Sequence, residues 1–437
     1  MSVAETDIVP FPPLASITHG ELLETSLSAS TTTGTHGLHR FPAKFIPQVP
    51  RWAMNEFAGA NSTVLDPFMG SGTTLVEGAT RVGRVIGTDI DPLAVLISRA
   101  KTAAVSGHRI EELAGAVVSV ASSRVSPVHE LPMSGVINPL HWFSQQAMDE
   151  LGAILEAIDV VQATPDEKDV LLTVFSSILR RVSRADDQSQ KTYVSGTLAK
   201  VPPPAMTTFI RASHNAARAF DGGAQFRRAN QVSAILGSAL DIPLADGEVD
   251  LIVTSPPYLD SVDYMYNLML EYFWLGPRLG VPDRSTFNRM RREGVGGSRD
   301  AQVVGGEVLD IAKDVPIADY RRPALRAYLA LMQTHFSEAS RVLAAEGRYV
   351  FVLGNSLSGG VRLPVADWMI RIAATQGLAV EKAFAYRIRR HYMKFPRKGR
   401  GGIILADWVI TLRHSDVATA EPLPTLDVAM GADDVAH

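Results

Sequence analysis

The residues Thr63-Val64-Leu65-Asp66 have the character of a buried strand. They run without a linker into the turn Pro67-Phe68-Met69-Gly70-Ser71-Gly72 and a helix beginning near Thr73. Gly70 and Gly72 permit φ angles and a close backbone approach that a side chain would block, so a ligand can lie against the chain there. Asp89, 23 positions after Asp66, closes the next strand, Arg84-Val85-Ile86-Gly87-Thr88. A carboxylate at that point can accept hydrogen bonds from ribose hydroxyls. Leu75 stands where a dinucleotide fingerprint has its third glycine, so a nucleotide-like cofactor without a pyrophosphate fits better. By themselves these residues also fit a glycine turn that only packs a helix.

Strand-helix alternation continues through a helical segment around Leu93 to Lys101 and is then interrupted by a largely helical stretch. It resumes at Val232–Ala239, Val249–Thr254 and Arg348–Gly354, and ends on the apolar strand Trp408–Leu412. This is α/β patterning with a mainly helical insertion. The expected organisation is a flexible N-terminal segment over 1–34, a cofactor-binding part over 35–107 and the insertion over 108–230, a candidate for target recognition. A catalytic part over 231–413 and a flexible tail over 414–437 complete it. Hydrophobic residues at 46% and charged residues at 20% suit an ordinary globular protein. With no membrane-length apolar run and no secretory signal, a cytoplasmic protein without a membrane partner is expected.

A second strand, Val249-Asp250-Leu251-Ile252-Val253, runs directly into Thr254-Ser255-Pro256-Pro257-Tyr258. Ligand crevices of open α/β sheets lie at this end of the strands, so the two turns should face one site. The prolines stiffen the exit and have no N–H to donate, while their carbonyls can accept. Methylation of an aryl amino group suits such a turn. The Ser255 hydroxyl and the Pro256 carbonyl can hold the two amino hydrogens and aim the nitrogen lone pair at an electrophilic methyl. Tyr258 can stack on a base rotated out of a duplex. A bare Pro-Pro-Tyr is more often a rigid connection; two strand-terminal motifs in one chain make coincidence improbable.

These residues resemble the DNA amino-methyltransferases that modify cytosine N4 or adenine N6. The resemblance covers Thr35 to Lys101 and Val232 to about Tyr272, more weakly beyond. It implies a Rossmann-like sheet that uses S-adenosylmethionine, with Asp66, Pro67, Phe68, Gly70, Gly72 and Thr73 around its methionine part and Asp89, followed by Ile90, at its ribose. His36 to Pro47 is similar to the family's N-terminal cofactor motif, which implies that Phe41, Lys44 and Phe45 close over the cofactor. Ser238 and Ala239 match the segment at the adenine ring, although Ser238 replaces an expected Asp. Ser255, Pro256, Pro257 and Tyr258 match the catalytic motif. Ser in the first place is usual for the cytosine branch, Asp or Asn for the adenine branch.

From Tyr386 to Gly402 the chain carries Arg387, Arg389, Arg390, Lys394, Arg397, Lys398 and Arg400 and no acid, with Tyr386, Tyr392 and Phe395 interleaved. In a chain of net charge −4 this local basicity suits phosphate contacts with double-stranded DNA. Arg284 to Arg299, with Arg291 and Arg292, is expected to be a second, glycine-hinged contact loop. His36 and His39 lack the companions of a metal site, so no metal is expected.

The chain has no cysteine, which excludes disulfides and the covalent mechanism of cytosine-C5 methylation. Adenine-N6 methylation, methylation of a tRNA guanine amino group and a non-catalytic DNA-binding role remain alternatives. The RNA reading expects an RNA-binding module before His36, and 35 residues are too few for one. The favoured expectation is a nucleoid-associated, site-specific cytosine-N4 DNA methyltransferase, with a cognate restriction endonuclease as a candidate partner.

Overall fold

A computed structural model describes residues 11–23, 32–42, 45–187, 189, 191–197, 199–221, 231–259, 264–295, 311–358, 361–387, 406–416 and 422–424. The first half contains strands β1 (Glu21–Leu23), β2 (Thr63–Asp66) and β3 (Arg84–Asp89) with helices α1 (Gln48–Phe57), α2 (Thr73–Gly78) and α3 (Pro92–Thr102). Helices α4 (Gly107–Ser122), α5 (Pro139–Trp142), α6 (Gln145–Val160), α7 (Pro165–Val182) and α8 (Ala205–Asp221) form the insertion. Then come β4 (Val232–Leu236), β5 (Val249–Thr254), α9 (Tyr264–Asn267), α10 (Met269–Leu275), α11 (Arg284–Glu293) and α12 (Arg322–Val342). The last elements are β6 (Leu343–Gly354), a small hairpin of β7 (Ser356–Ser358) and β8 (Val361–Leu363), α13 (Val365–Ala374), β9 (Leu378–Arg387) and β10 (Ala406–His414).

Among the described residues one eight-stranded sheet has the order β1-β9-β10-β6-β5-β2-β3-β4. β10 runs antiparallel to both neighbours, and the other pairs are parallel. The expected Rossmann-like α/β class is therefore the observed one. Strand alternation divides the core: Leu65, Ile86 and Ile252 face α12 and α13, while Val64, Val85 and Leu251 face α1. α12 serves this face because Leu325, Tyr328, Leu329, Met332 and Phe336 recur at helical spacing. β2 and β5 are neighbours, yet their connections leave in opposite directions through the sheet. The switch point, where ligand crevices form, thus lies between Asp66 and Thr254.

The insertion does not stand apart from this fold. Its apolar faces share one cluster with Leu93, Ile97 and Ala100 of α3 and with Leu270, Phe273 and Trp274 of α10. α7 starts on a capping box of Thr164 and Glu167, with Pro165 in the first helical place.

Parts of both terminal segments pack against the sheet and its helices. Phe11 is buried on Phe384, at a ring-centroid distance of 5.3 Å, and on Trp52, and β1 adds a parallel strand to β9. Lys382 fixes the intervening chain by donating to the Leu14 and Ile17 carbonyls. In the tail, Leu423 donates its N–H to Asp367 at 2.8 Å. A few apolar contacts and backbone bonds suffice to seat these parts. No helix among the described residues is long and apolar enough to cross a membrane.

Candidate active site

One carboxylate joins the two turns from beneath. Asp66, at the end of β2, is fully buried. Its Oδ1 accepts from the Thr254 hydroxyl at 2.6 Å and the Phe68 N–H at 3.2 Å, and its Oδ2 accepts from the Thr74 hydroxyl at 2.6 Å. Thr254 immediately precedes Ser255, so this side chain bolts the glycine turn to the Ser-Pro-Pro-Tyr turn. Burial raises the Asp66 carboxyl to about 6, against the pull of its three donors.

Gly70 and Gly72 hold φ values of 47° and 75°. A Cβ on Gly72 would come within 2.7 Å of Ser98 Oγ, and one on Gly70 within 3.3 Å of the Phe41 ring. The turn is thus pressed against α3 and covered by the upstream motif. Ser98 donates to the Gly70 carbonyl, and the buried Lys101 ammonium to the Ser71 carbonyl, each at 2.9 Å. Asp89 is half-buried. It accepts from the Gly70 N–H on one oxygen and from the Asp91 N–H on the other, both at 2.9 Å. Burial, then the charge of Asp91, lift its carboxyl to about 7. Asp91 caps α3 through Leu93 and Ala94 and accepts the Tyr272 hydroxyl.

Beside Asp89 opens a cavity of about 440 Å³, lined by Ile90, Pro92, Leu236, Gly237 and Ser238 from one side and Leu279, Gly280, Val281 and Met290 from the other. This mostly apolar lining, which starts at the residue after Asp89, fits a flat heterocycle. Ser238 accepts from the Leu240 N–H, while Ala239 is buried and its carbonyl receives His335 Nδ1 at 2.9 Å. A carbonyl only accepts, so Nδ1 carries the proton and Nε2 takes the Tyr349 hydroxyl at 2.7 Å. Burial lowers His335 to about 4, which keeps the ring neutral. Its ring also meets Phe68 edge-on at 4.6 Å, bracing both the turn and the Ser238 segment.

In the Ser-Pro-Pro-Tyr turn, Ser255, Pro257 and Tyr258 are half-buried and Pro256 is buried. The Tyr258 hydroxyl donates to Asp407 Oδ1 at 3.1 Å.

The sequence profile of the DNA methylase family, of the N6/N4 type, matches residues 19–99. Over 375 residues the chain is 27% identical to the Type II methyltransferase M.MvaI of Kocuria varians, spanning 77% of this chain and 80% of that one. Over 70 residues it is 40% identical to the Type II methyltransferase M.MjaII of Methanocaldococcus jannaschii, spanning 16% and 13%. The chain thus resembles the N4/N6 type of DNA methylases. Among solved structures it is similar to a geranyl diphosphate methyltransferase, with a TM-score of 0.31 and 9% identity over 85% of this chain and 86% of that one.

These likenesses support a DNA methyltransferase whose methyl donor is S-adenosylmethionine. The residues present fit that donor: a glycine turn with two left-handed residues, a carboxylate whose ionised form accepts from hydroxyls, and a mostly apolar cavity lined from the next residue, Ile90. Phe45 is buried beside Val49 and Trp52, whereas Lys44 lies outside the described residues. The histidines of the upstream motif are used for seating it. His36 Nε2 lies 2.9 Å from Glu77 in a cluster with Arg51 and Arg81, and His39 Nε2 lies 2.9 Å from Ser176 of the insertion. Burial opposes the charge of Glu77, but His36 and Arg51 outweigh it and pull the carboxyl down to about 2. Among the described residues no cluster of three metal-ligating side chains occurs.

Of the basic residues, Arg387 ends β9, while Arg389, Arg390, Lys394, Arg397, Lys398 and Arg400 lie outside the described residues. Tyr386, expected in a basic loop, is instead a buried strand residue. The segment from Arg284, expected to be a loop, begins as helix α11, because Asp283 caps it by accepting the Thr286 N–H at 2.8 Å. Arg291 lies 5.1 Å over the Tyr266 ring, and Arg292 is exposed. Asp407, His335 and Lys101 were not legible as site residues: each stands in an apolar strand or helix pattern with no local motif.

Proposed function

We propose that this methylase transfers a methyl group to the N4 amino group of cytosine at a specific site in double-stranded DNA. The observation that carries the reading is Ser255: a hydroxyl, not a carboxylate or amide, follows the residue that Asp66 bolts to the glycine turn. Ser255 Oγ and the Pro256 carbonyl accept the two amino hydrogens, which leaves the lone pair directed away from both. Tyr258 stacks on the extruded base and, with the prolines, keeps water from it. Bound S-adenosylmethionine supplies an electrophilic methyl. Asp89 holds its ribose, Ile90, Ser238 and Ala239 surround its adenine, and Phe41, Lys44 and Phe45 close over it. Asp66, Pro67, Phe68, Gly70, Gly72 and Thr73 build the turn at its methionine end. Arg387, Arg389, Arg390, Lys394, Arg397, Lys398 and Arg400, with Arg291 and Arg292, carry the DNA backbone. A cognate restriction endonuclease and a place on the nucleoid belong to the same reading; both relatives are named as Type II methyltransferases. Digestion of methylated DNA to nucleosides and mass spectrometry test the assignment: N4-methylcytosine is expected, and N6-methyladenine would overturn it.

Two further outcomes follow from these roles. Asp89→Ala should weaken cofactor binding without changing cofactor-free DNA binding. Because the Asp89 carboxyl is raised to about 7, hydroxyl donors from the ribose favour its ionised form, so wild-type affinity should rise between pH 6 and pH 8. Asp89→Asn should lose that slope in calorimetric titrations, and an unchanged slope would remove the ribose role. Neutralising Arg389, Arg390, Arg397 and Arg400 together should lower DNA affinity and flatten its dependence on salt by roughly 0.9 per lost phosphate contact. Binding isotherms across a salt series read this directly, and an unaltered slope would place the DNA elsewhere.

A further inference from the structure

Asp407 is a buried carboxylate near the start of β10, and among the described residues no cation pairs with it. Taking such a group out of water is unfavourable unless its oxygens are used. Both are used, by two phenols. Tyr258 donates to Oδ1 at 3.1 Å, and Tyr386 donates to Oδ2 at 3.2 Å. Burial lifts both phenols well above their ordinary range, so they remain protonated donors. In the sheet Asp407 lies opposite Tyr386 of β9 and Gly354 of β6. Just beyond Gly354, the Ser356 hydroxyl donates to the Leu259 carbonyl at 2.8 Å. The far side of the Ser-Pro-Pro-Tyr turn is therefore held at two consecutive residues, Tyr258 by its ring and Leu259 by its backbone.

We propose that Asp407 is a positioning residue for methyl transfer, fixing the Tyr258 ring at the target base while Tyr386 fixes Asp407. The inference rests on Tyr258 being the base contact. A ring tethered only at its root samples several rotamers, and each wrong one must be abandoned before the base can seat. A phenol anchored at its far end holds one orientation, so the stacking surface is organised before DNA arrives. Asp66 fixes the near end of the same turn, and Asp407 its far end, from opposite sides of β6 and β5.

The test is a double-mutant cycle on the full chain, read as tritiated methyl incorporation from S-adenosylmethionine into unmethylated DNA. Asp407→Asn keeps the shape but has one acceptor oxygen for two phenols. Its kcat should fall roughly 10- to 100-fold, the scale of one lost hydrogen bond to a charged group, with KM for the cofactor unchanged. Tyr258→Phe should lose a similar factor, and adding Asp407→Asn to it should cause little further loss. Tyr386→Phe keeps the packing, and its kcat should fall less, a readout that survives if Asp407→Asn fails to fold. Wild-type kcat in folded Asp407→Asn alongside a slow Tyr258→Phe would overturn the proposal, as would losses that multiply in the double mutant. Full activity of Tyr258→Ala would instead remove the base-contact reading, and this inference with it.

Discussion

Ser255→Ala should methylate DNA roughly 10²–10³-fold more slowly than the wild type, the loss expected on removing one positioned hydrogen-bonding group from a reacting centre. Cofactor affinity should be preserved. The separation follows because the backbone of the turn is held at other residues: Thr254 makes the bond to Asp66 and Ser356 holds Leu259, while the Ser255 hydroxyl meets the Tyr258 hydroxyl. Truncating Ser255 therefore removes an acceptor without releasing the backbone that presents the Pro256 carbonyl. Initial rates of methyl incorporation and calorimetric titration with S-adenosylmethionine measure the two quantities. A folded mutant working at the wild-type rate would reduce Ser-Pro-Pro-Tyr to a rigid connection.

Asp66→Ala should be damaging in a different way. It strands the Thr254 and Thr74 hydroxyls and the Phe68 N–H in a buried place, and an unsatisfied buried group costs about 1–3 kcal/mol. A loss near 3 kcal/mol is expected, because Thr74 retains a 3.3 Å contact to the Val253 carbonyl and the site relaxes partially. The rate should suffer more than the stability does, since loosening both turns by about 1 Å is enough for roughly 100-fold. A sign follows from the raised carboxyl. Its folded value near 6 exceeds the ordinary 3.8, so the wild type loses stability as pH rises through that window. Alanine does not titrate, and the stability gap between the two proteins should narrow from pH 4 to pH 7. Denaturant unfolding at both pH values checks this, and a gap that widens would mean that Asp66 is ionised with an unrecognised partner.

The parts of the fold that could be read in advance are those whose physics is local. β2, the glycine turn and the start of α2 at Thr73 follow from a strand pattern broken by Gly70 and Gly72, and β5 from an apolar run stopped by two prolines. The residues that brace the site act across distance in the chain. His335 reaches Ala239 over 96 positions and Asp407 reaches Tyr258 over 149, and neither leaves a periodicity or turn signal of its own. An aspartate beside Trp408 reads as an ordinary strand end. β1 was missed because three residues make no alternation, and α11 because the glycines after it suggest a loop more strongly than Asp283 suggests a cap.

The strap formed by Phe11 to Leu23 also sets a limit on how the chain can be handled. β9 would be the outer strand of the sheet if β1 did not lie along it. A version trimmed to begin at the upstream cofactor motif would keep every residue proposed for chemistry. It would nonetheless present the β9 backbone as an open template for a neighbouring molecule, with Phe384 and Trp52 uncovered beside it. Catalytic completeness and colloidal behaviour thus have different boundaries in this protein. Affinity tags and truncations belong ahead of Phe11, not at the first recognisable motif.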